Sequence, residues 1–164
     1  MKSKDRNYFK ILRAGINTTY QDLGRNNLYH IGIPFSGAMD KRNFQLLNSL
    51  LQNDYNSPVI EFAYQGPLLK LIKGKTKVAI TGNVLFQIIK SNGDTINGEC
   101  NKSYDLDEGD QLDILATKDS VYGYLSVEGG FAITRFCNSV STLSRANIGP
   151  NKGKKINVKD KIFF

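Results

Sequence analysis

Seven short runs rich in Val, Ile, Phe and Tyr recur along the sequence, near residues 8–13, 59–63, 68–72, 76–81, 84–90, 111–115 and 121–127, separated by Gly, Asn, Asp or Pro. Runs of this length bounded by turn formers are β-strands by pattern, and strands so closely spaced must pack as a barrel or a sandwich to bury their apolar sides. Asn92-Gly93 predicts a two-residue hairpin turn, because both residue types tolerate positive φ, and so folds 84–90 back on 95–98. Asp107-Glu108-Gly109-Asp110 predicts a second turn, which feeds an alternating strand with Leu112 and Ile114 on one face.

One segment departs from the β pattern. From Asp40 to Gln52, Phe44, Leu47 and Leu51 recur at helical spacing, with Leu46 and Leu50 widening the stripe. This predicts a single helix near 40–52, capped by Asp40 or by Ser36 and unable to continue past Pro58. The fold class is mainly β with that one helix, and 164 residues suffice for a single domain spanning 1–164.

The longest apolar runs, such as Val84-Leu85-Phe86, are far too short to cross a bilayer as a helix. Met1 to Arg6 is polar and lacks a signal-peptide apolar stretch, so the reading is cytoplasmic, with no membrane partner. The net charge of +7 invites a nucleic-acid role, but its position argues against one. Lys2, Lys4 and Arg6 against Asp5, and five lysines against Asp160 within 152–161, account for six of the seven charges. A groove for a phosphate backbone needs its cations interleaved with aromatics inside the fold. Cys100 and Cys137 have neither disulfide density nor ligand spacing and are read as free thiols. No His/Cys cluster suggests a metal, and no phosphate-cradling glycine loop with lysine is present.

Three segments resemble one family. Ala14 to Arg25 reads AGINTTYQDLGR, similar to the signature AG-x-x-TT-x-QDLGR, and His30 to Asp40 is similar to G-x-P-x-SGAMD. Asn48, Glu61 before Gly66-Pro67, Ile80-Thr81-Gly82, Tyr124 to Phe131 and Ser139 to Thr142 with Arg145 follow in the same order. The family is that of carboxyltransferase-like proteins, which includes the C component of 5-oxoprolinase and allophanate hydrolase subunit 2. The resemblance covers the whole chain but only the N-terminal half of such a protein. It implies a cyclophilin-like barrel, here truncated, whose open strand edges predict self-association. Val140 stands where the family motif S-R-S-T has its arginine.

The resemblance also implies function. In 5-oxoprolinase, three subunits open a lactam at the expense of ATP; in urea carboxylase, the fused equivalent transfers a carboxyl group from biotin to urea. Related proteins in spore formers instead antagonise an inhibitor of a histidine kinase. The expectation is a subunit of an ATP-dependent amidohydrolase acting on a small cyclic amide. The alternatives are a subunit of a biotin-dependent carboxyltransferase and a non-catalytic binding partner. ATP enters at the level of the complex, and biotin is compatible. The partner is a subunit of related fold (allophanate hydrolase subunit 1-like), together with a separately encoded C-terminal half.

The candidate catalytic residues are Arg25, His30, Asp40 and Glu61, and the candidate substrate-binding residues are Ser36, Gly37, Ser139, Ser141 and Arg145. Arg25 offers a planar donor set for a carboxylate, or locks loop geometry with Asp22 or Asp40. His30 is the one side chain whose unperturbed pKa lies near neutrality, or simply a structural residue before a strand. Ser36, Gly37 and Asp40 flank a helix start, where they bind an anion or merely cap and turn. Glu61 lies among apolar residues, so a buried side chain there needs a partner such as Arg25 or its pKa rises. Ser139, Ser141 and Arg145 surround an anion on one reading and serve the backbone on the other.

Overall fold

The computed structural model describes residues 6–164, and the readings made on Met1 to Asp5 lie outside them. Eleven strands and one helix follow in chain order: β1 (Tyr8–Arg13), β2 (Thr19–Gln21), α1 (Lys41–Leu50), β3 (Val59–Ala63), β4 (Leu68–Lys73), β5 (Thr76–Thr81), β6 (Val84–Ile89), β7 (Thr95–Asn97), β8 (Ser103–Leu106), β9 (Gln111–Thr117), β10 (Tyr122–Val127) and β11 (Lys161–Phe163). All seven apolar runs form strands. Three-residue β2 and β11, together with β8, carry too little pattern of their own to be legible.

The strands form two antiparallel sheets, ordered β11-β1-β4-β9-β6-β7 and β2-β3-β10-β5-β8. The expected barrel is therefore not a closed one. Between the sheets lies the main core, with Phe9, Ile11, Ile60, Phe62, Leu71, Ile80, Leu112, Ile114, Leu125 and Val140 all fully buried. Val140 is thus a core residue, and its apolar side chain is what that place in the packing accepts.

The five-stranded sheet is covered on its second face as well. There α1 packs Phe44, Leu47 and Leu51 against Val59, Ala79 and Tyr124. Leu46 does not widen this stripe but is 39% exposed, and Leu50 is only partly buried. Asp40 is the N-cap and accepts from the Asn43 N–H at 3.1 Å, which settles the choice between the two expected caps. Double coverage explains why all five residues of β3 are buried. Alternation sends Ile60 and Phe62 into the main core and Val59, Glu61 and Ala63 toward the helix side.

The β6–β7 hairpin pairs Ile88 with Ile96, as expected, but its loop is longer than a two-residue turn. Gly93 N–H donates to the Lys90 carbonyl and Lys90 N–H to the Asp94 carbonyl, so only Gly93, at φ 95°, takes the left-handed region. That is a three-residue loop ending in a glycine bulge. The exposed edges are short: β7 and β11 have three residues each and β8 has four. β2, also an edge, is covered by the segment around Thr142 and Ile156, through Thr142 N–H to Tyr20 O and Ile156 N–H to Thr18 O. Short and covered edges work against the self-association that the sequence suggested. Among the described residues, no helix is long and apolar enough to cross a membrane.

Candidate functional site

The helix side of the five-stranded sheet is not wholly covered. α1 makes most of its sheet contacts with β5 and β10, and the helix side of β2 and β3 is bounded by the loop that precedes the helix, whose Met39 N–H bonds Glu61. A cleft of about 520 Å³ sits there, lined by Thr19 and Gln21 from β2, Glu61 from β3, Ser36 to Met39 and Lys41 from the start of the helix, and Thr142 to Arg145. In the sheet register Glu61 lies opposite both Thr19, which also lines the cleft, and Tyr124, which is wholly buried.

Glu61 is 3% exposed, and its Oε2 accepts from the Met39 N–H at 2.8 Å and from the Tyr124 hydroxyl at 2.9 Å. The Tyr124 hydroxyl in turn accepts from the Asp40 N–H at 2.7 Å. Burial pushes the Glu61 carboxyl above its ordinary value, and the two hydrogen bonds only partly oppose this. Burial and the neighbouring Glu61 raise the Tyr124 phenol as well, so it stays a proton donor. Glu61 therefore does not use Arg25 as its partner. A carboxyl that lines a cleft and holds its proton more tightly than usual has the chemistry of a general acid–base group.

Three buried polar atoms of the cleft residues have no protein partner: Gln21 Oε1, Ser36 Oγ and Thr142 Oγ1. Buried polar groups are nearly always paired, so these three atoms, on residues that line the cleft, are left for partners the described residues do not supply, as are buried atoms of Arg13, Arg25 and Asn48 elsewhere. Ser36 is also held at φ 56°, a left-handed conformation that costs a non-glycine residue. Lys41 and Arg145 are exposed and give the rim positive charge, with Lys41 Nζ standing 5.0 Å from the centre of the Phe35 ring.

The structure divides the residues singled out in the sequence. Ser36, Gly37, Glu61 and Arg145 come together at the cleft. Asp40 does not line it; its carboxylate is taken by α1, accepting from both the N–H and the side-chain amide of Asn43. His30 is exposed on a 3-10 turn, Tyr29–Ile31, that contributes no buried residue and does not reach the cleft. Arg25 is 2% exposed and donates to the Ser141 carbonyl at 2.5 Å, with Phe136 beneath its guanidinium at 5.9 Å. It lies against a separate depression formed with Asn26, Asn56 and Cys137. It pairs with neither Asp22 nor Asp40 by a direct hydrogen bond, although Asp22 is close enough to act on it electrostatically.

Ser139 and Ser141 do surround an anion, but it belongs to the chain. Their hydroxyls donate to Asp22 Oδ1 at 2.6 and 2.7 Å, joined by the Gly24 N–H at 2.9 Å. Asp22 Oδ2 accepts from the Val140 N–H at 2.8 Å and from Arg135 at 3.1 Å. A wholly buried carboxylate thus fills the donor set that an external anion would have needed. Nearby, Gly24 is required at φ 94°, since a Cβ there would lie 2.7 Å from the Phe35 carbonyl oxygen. Arg25 N–H to Phe35 O and Ala38 N–H to Asp22 O tie that loop to the one bearing Ser36.

Gln21, Thr142 and Lys41 line the cleft, and Tyr124 holds Glu61, without having stood out as site residues in the sequence. Gln21 and Thr142 lie inside two of the family-like motifs, beside residues more conspicuous for their charge or hydroxyls.

The model of the carboxyltransferase domain, subdomain A and B, matches residues 31–164. The chain belongs to that carboxyltransferase-domain family. It is 33% identical over 157 residues to the urea amidolyase of Lachancea kluyveri, covering 95% of this chain and 8% of that protein. It is 33% identical over 152 residues to the C component of 5-oxoprolinase from Haemophilus influenzae, covering 93% of this chain and 48% of that protein. Among solved structures, the urea amidolyase of K. lactis superposes with a TM-score of 0.88 at 30% identity, over 99% of this chain and 10% of that one. This carboxyltransferase-family chain therefore spans about half of one curated relative and about a tenth or less of the others.

Proposed function

We propose that this chain supplies the amide-binding face of an ATP-dependent enzyme of the 5-oxoprolinase kind, working beside a partner subunit of related fold and a separately encoded second half. The observation that carries this reading is the buried Glu61, which lines the cleft and is bonded to Tyr124 behind it, among cleft residues whose polar atoms lack partners. Lys41 and Arg145 attract an anionic amide to the rim, and Ser36, Gln21 and Thr142 orient it. Glu61, steadied by Tyr124 and the Met39 N–H, exchanges a proton with the amide or its leaving nitrogen.

The nucleotide is assigned to the complex and not to this chain. The N-terminus of α1, where a phosphate would sit, already carries the Asp40 carboxylate, and no step is derived through ATP. A second reading is carboxyl transfer to urea, favoured by the likeness to the urea amidolyases. The cleft residues suit a ureido group as well as a lactam, and biotin would there act as the carboxyl carrier.

The test is co-expression with candidate neighbouring subunits, followed by an assay of 5-oxoproline-dependent ATP hydrolysis. Glu61→Gln is expected to lower turnover by roughly 100-fold or more, the usual share of a general acid–base group. Unchanged turnover in Glu61→Gln would remove the site. Urea-dependent carboxyl transfer without 5-oxoproline-dependent hydrolysis would select the second reading.

A further inference from the structure

We propose that Gln21 and Thr142 form a pair that reads the edge of a cis amide, the arrangement in which N–H and C=O point to the same side, as in lactams, urea and cyclic ureido rings. This deepens the reading of the cleft as an amide site and rests on it. The orientation of Gln21 is fixed by chemistry. Its Nε2 donates to the Thr142 carbonyl at 3.0 Å, an atom that can only accept, and to Thr19 Oγ1 at 3.0 Å. Turning the amide over would set two acceptors against each other, so Oε1 must face away from both. There it has no donor, although Gln21 is only 5% exposed.

The same hydrogen bond sets Thr142 beside Gln21. The Thr142 backbone is spent within the protein, its N–H on the Tyr20 carbonyl and its carbonyl on Gln21. Its Oγ1 is buried without a partner, and Thr142 is 7% exposed. Gln21 and Thr142 both line the cleft, so the pair brings to it one unpaired acceptor that cannot donate and one unpaired hydroxyl that can. A cis amide supplies the complement, an N–H for Gln21 Oε1 and a carbonyl oxygen for Thr142 Oγ1. A trans amide of an open chain points these groups in opposite directions and satisfies only one of the two.

The experiment uses the full chain and ligand-observed NMR titration. 2-Pyrrolidinone is expected to bind roughly tenfold more tightly than N-methyl-2-pyrrolidinone or N-methylacetamide, the cost of one buried group left unpaired. Thr142→Val removes a hydroxyl that makes no bond within the protein, so it leaves thermal stability unchanged or raised while weakening 2-pyrrolidinone roughly tenfold. Gln21→Met erases the preference for the N–H form. Titrations of 5-oxoproline, urea and 2-imidazolidinone separate a lactam substrate, urea and a ureido carrier as the natural source of the edge. Equal binding of the N-methylated lactam, or wild-type affinity in Thr142→Val, overturns the proposal but not the amide site. Absence of binding by every cis amide overturns both.

Discussion

Replacing Asp22 by alanine should be among the most damaging single changes in this chain. The carboxylate is wholly buried and accepts five hydrogen bonds, from the Ser139 and Ser141 hydroxyls, the Gly24 and Val140 N–H groups and Arg135. Removing it strands the two serine hydroxyls and the Val140 N–H, all buried, at about 1–3 kcal/mol each. The Ser141 N–H already donates to Ser139 Oγ, and hydroxyls can turn, so relaxation keeps the loss at the lower end, about 4 kcal/mol. Arg135 matters less, because its side chain is 38% exposed and water replaces the lost contact. For a chain of this size, about 4 kcal/mol lowers Tm by roughly 8–16 °C. Circular dichroism melts and urea titrations of Asp22→Ala and Arg135→Met measure this directly. A loss below about 1 kcal/mol in Asp22→Ala, or equal losses in the two variants, would refute the reasoning.

Burial raises Glu61 above its ordinary 4.5, so the folded chain keeps this proton to higher pH than the unfolded one. Its contribution to stability is then full below pH 4.5 and falls as pH rises from there through the raised value; Glu61→Gln should flatten that part of a stability–pH curve measured by urea unfolding. Ser36→Gly should raise stability by about 0.5–1 kcal/mol, by relieving a left-handed serine at φ 56°, and should weaken amide binding measured by the same NMR titration. A less stable variant would mean that the serine hydroxyl serves the fold. Because the exposed edges of β7, β8 and β11 span only three or four residues, light scattering of the isolated chain should return one species of monomer mass. Concentration-dependent growth would restore the association expected from the strand pattern.

Much of the architecture was legible because it rests on local rules. The apolar runs mark seven strands within a residue or two, the spacing of Phe44, Leu47 and Leu51 marks α1, and Leu112 and Ile114 fall on one buried face as alternation requires. What failed was whatever depended on distant neighbours. Ser139 and Ser141 have the chemistry to bind an anion, but no local signal says that the anion is Asp22, more than a hundred residues before them in the chain. Arg25 invites a ligand carboxylate by its charge, whereas the fold sets it on a backbone carbonyl and a phenyl ring. Glu61 is the exception, since a carboxylate at an inward position of an apolar strand is anomalous in one dimension as well as in three. Gln21 and Thr142 carry no such signal, because a neutral polar residue is ordinary until its hydrogen bonds can be counted.

Asp22 also connects stability with the site. Its carboxylate fastens the Ser139–Ser141 segment to the end of β2, and its carbonyl accepts from the Ala38 N–H of the loop leading into the helix. The residues flanking these three anchors are Gln21, Thr142 and the Ser36–Gly37 pair, all of which line the cleft. One buried residue, through its carboxylate and its backbone carbonyl, therefore ties together three chain segments whose neighbours carry the partnerless polar atoms. On this account the segments Asp22–Arg25 and Ser139–Thr142 of this chain are two halves of a single brace, and the acid in one accepts from the hydroxyls in the other. A brace of this kind separates two effects that would otherwise be confused. Loosening it at Asp22 should weaken ligand binding and stability together, whereas Thr142→Val, which leaves the brace whole, should weaken binding alone.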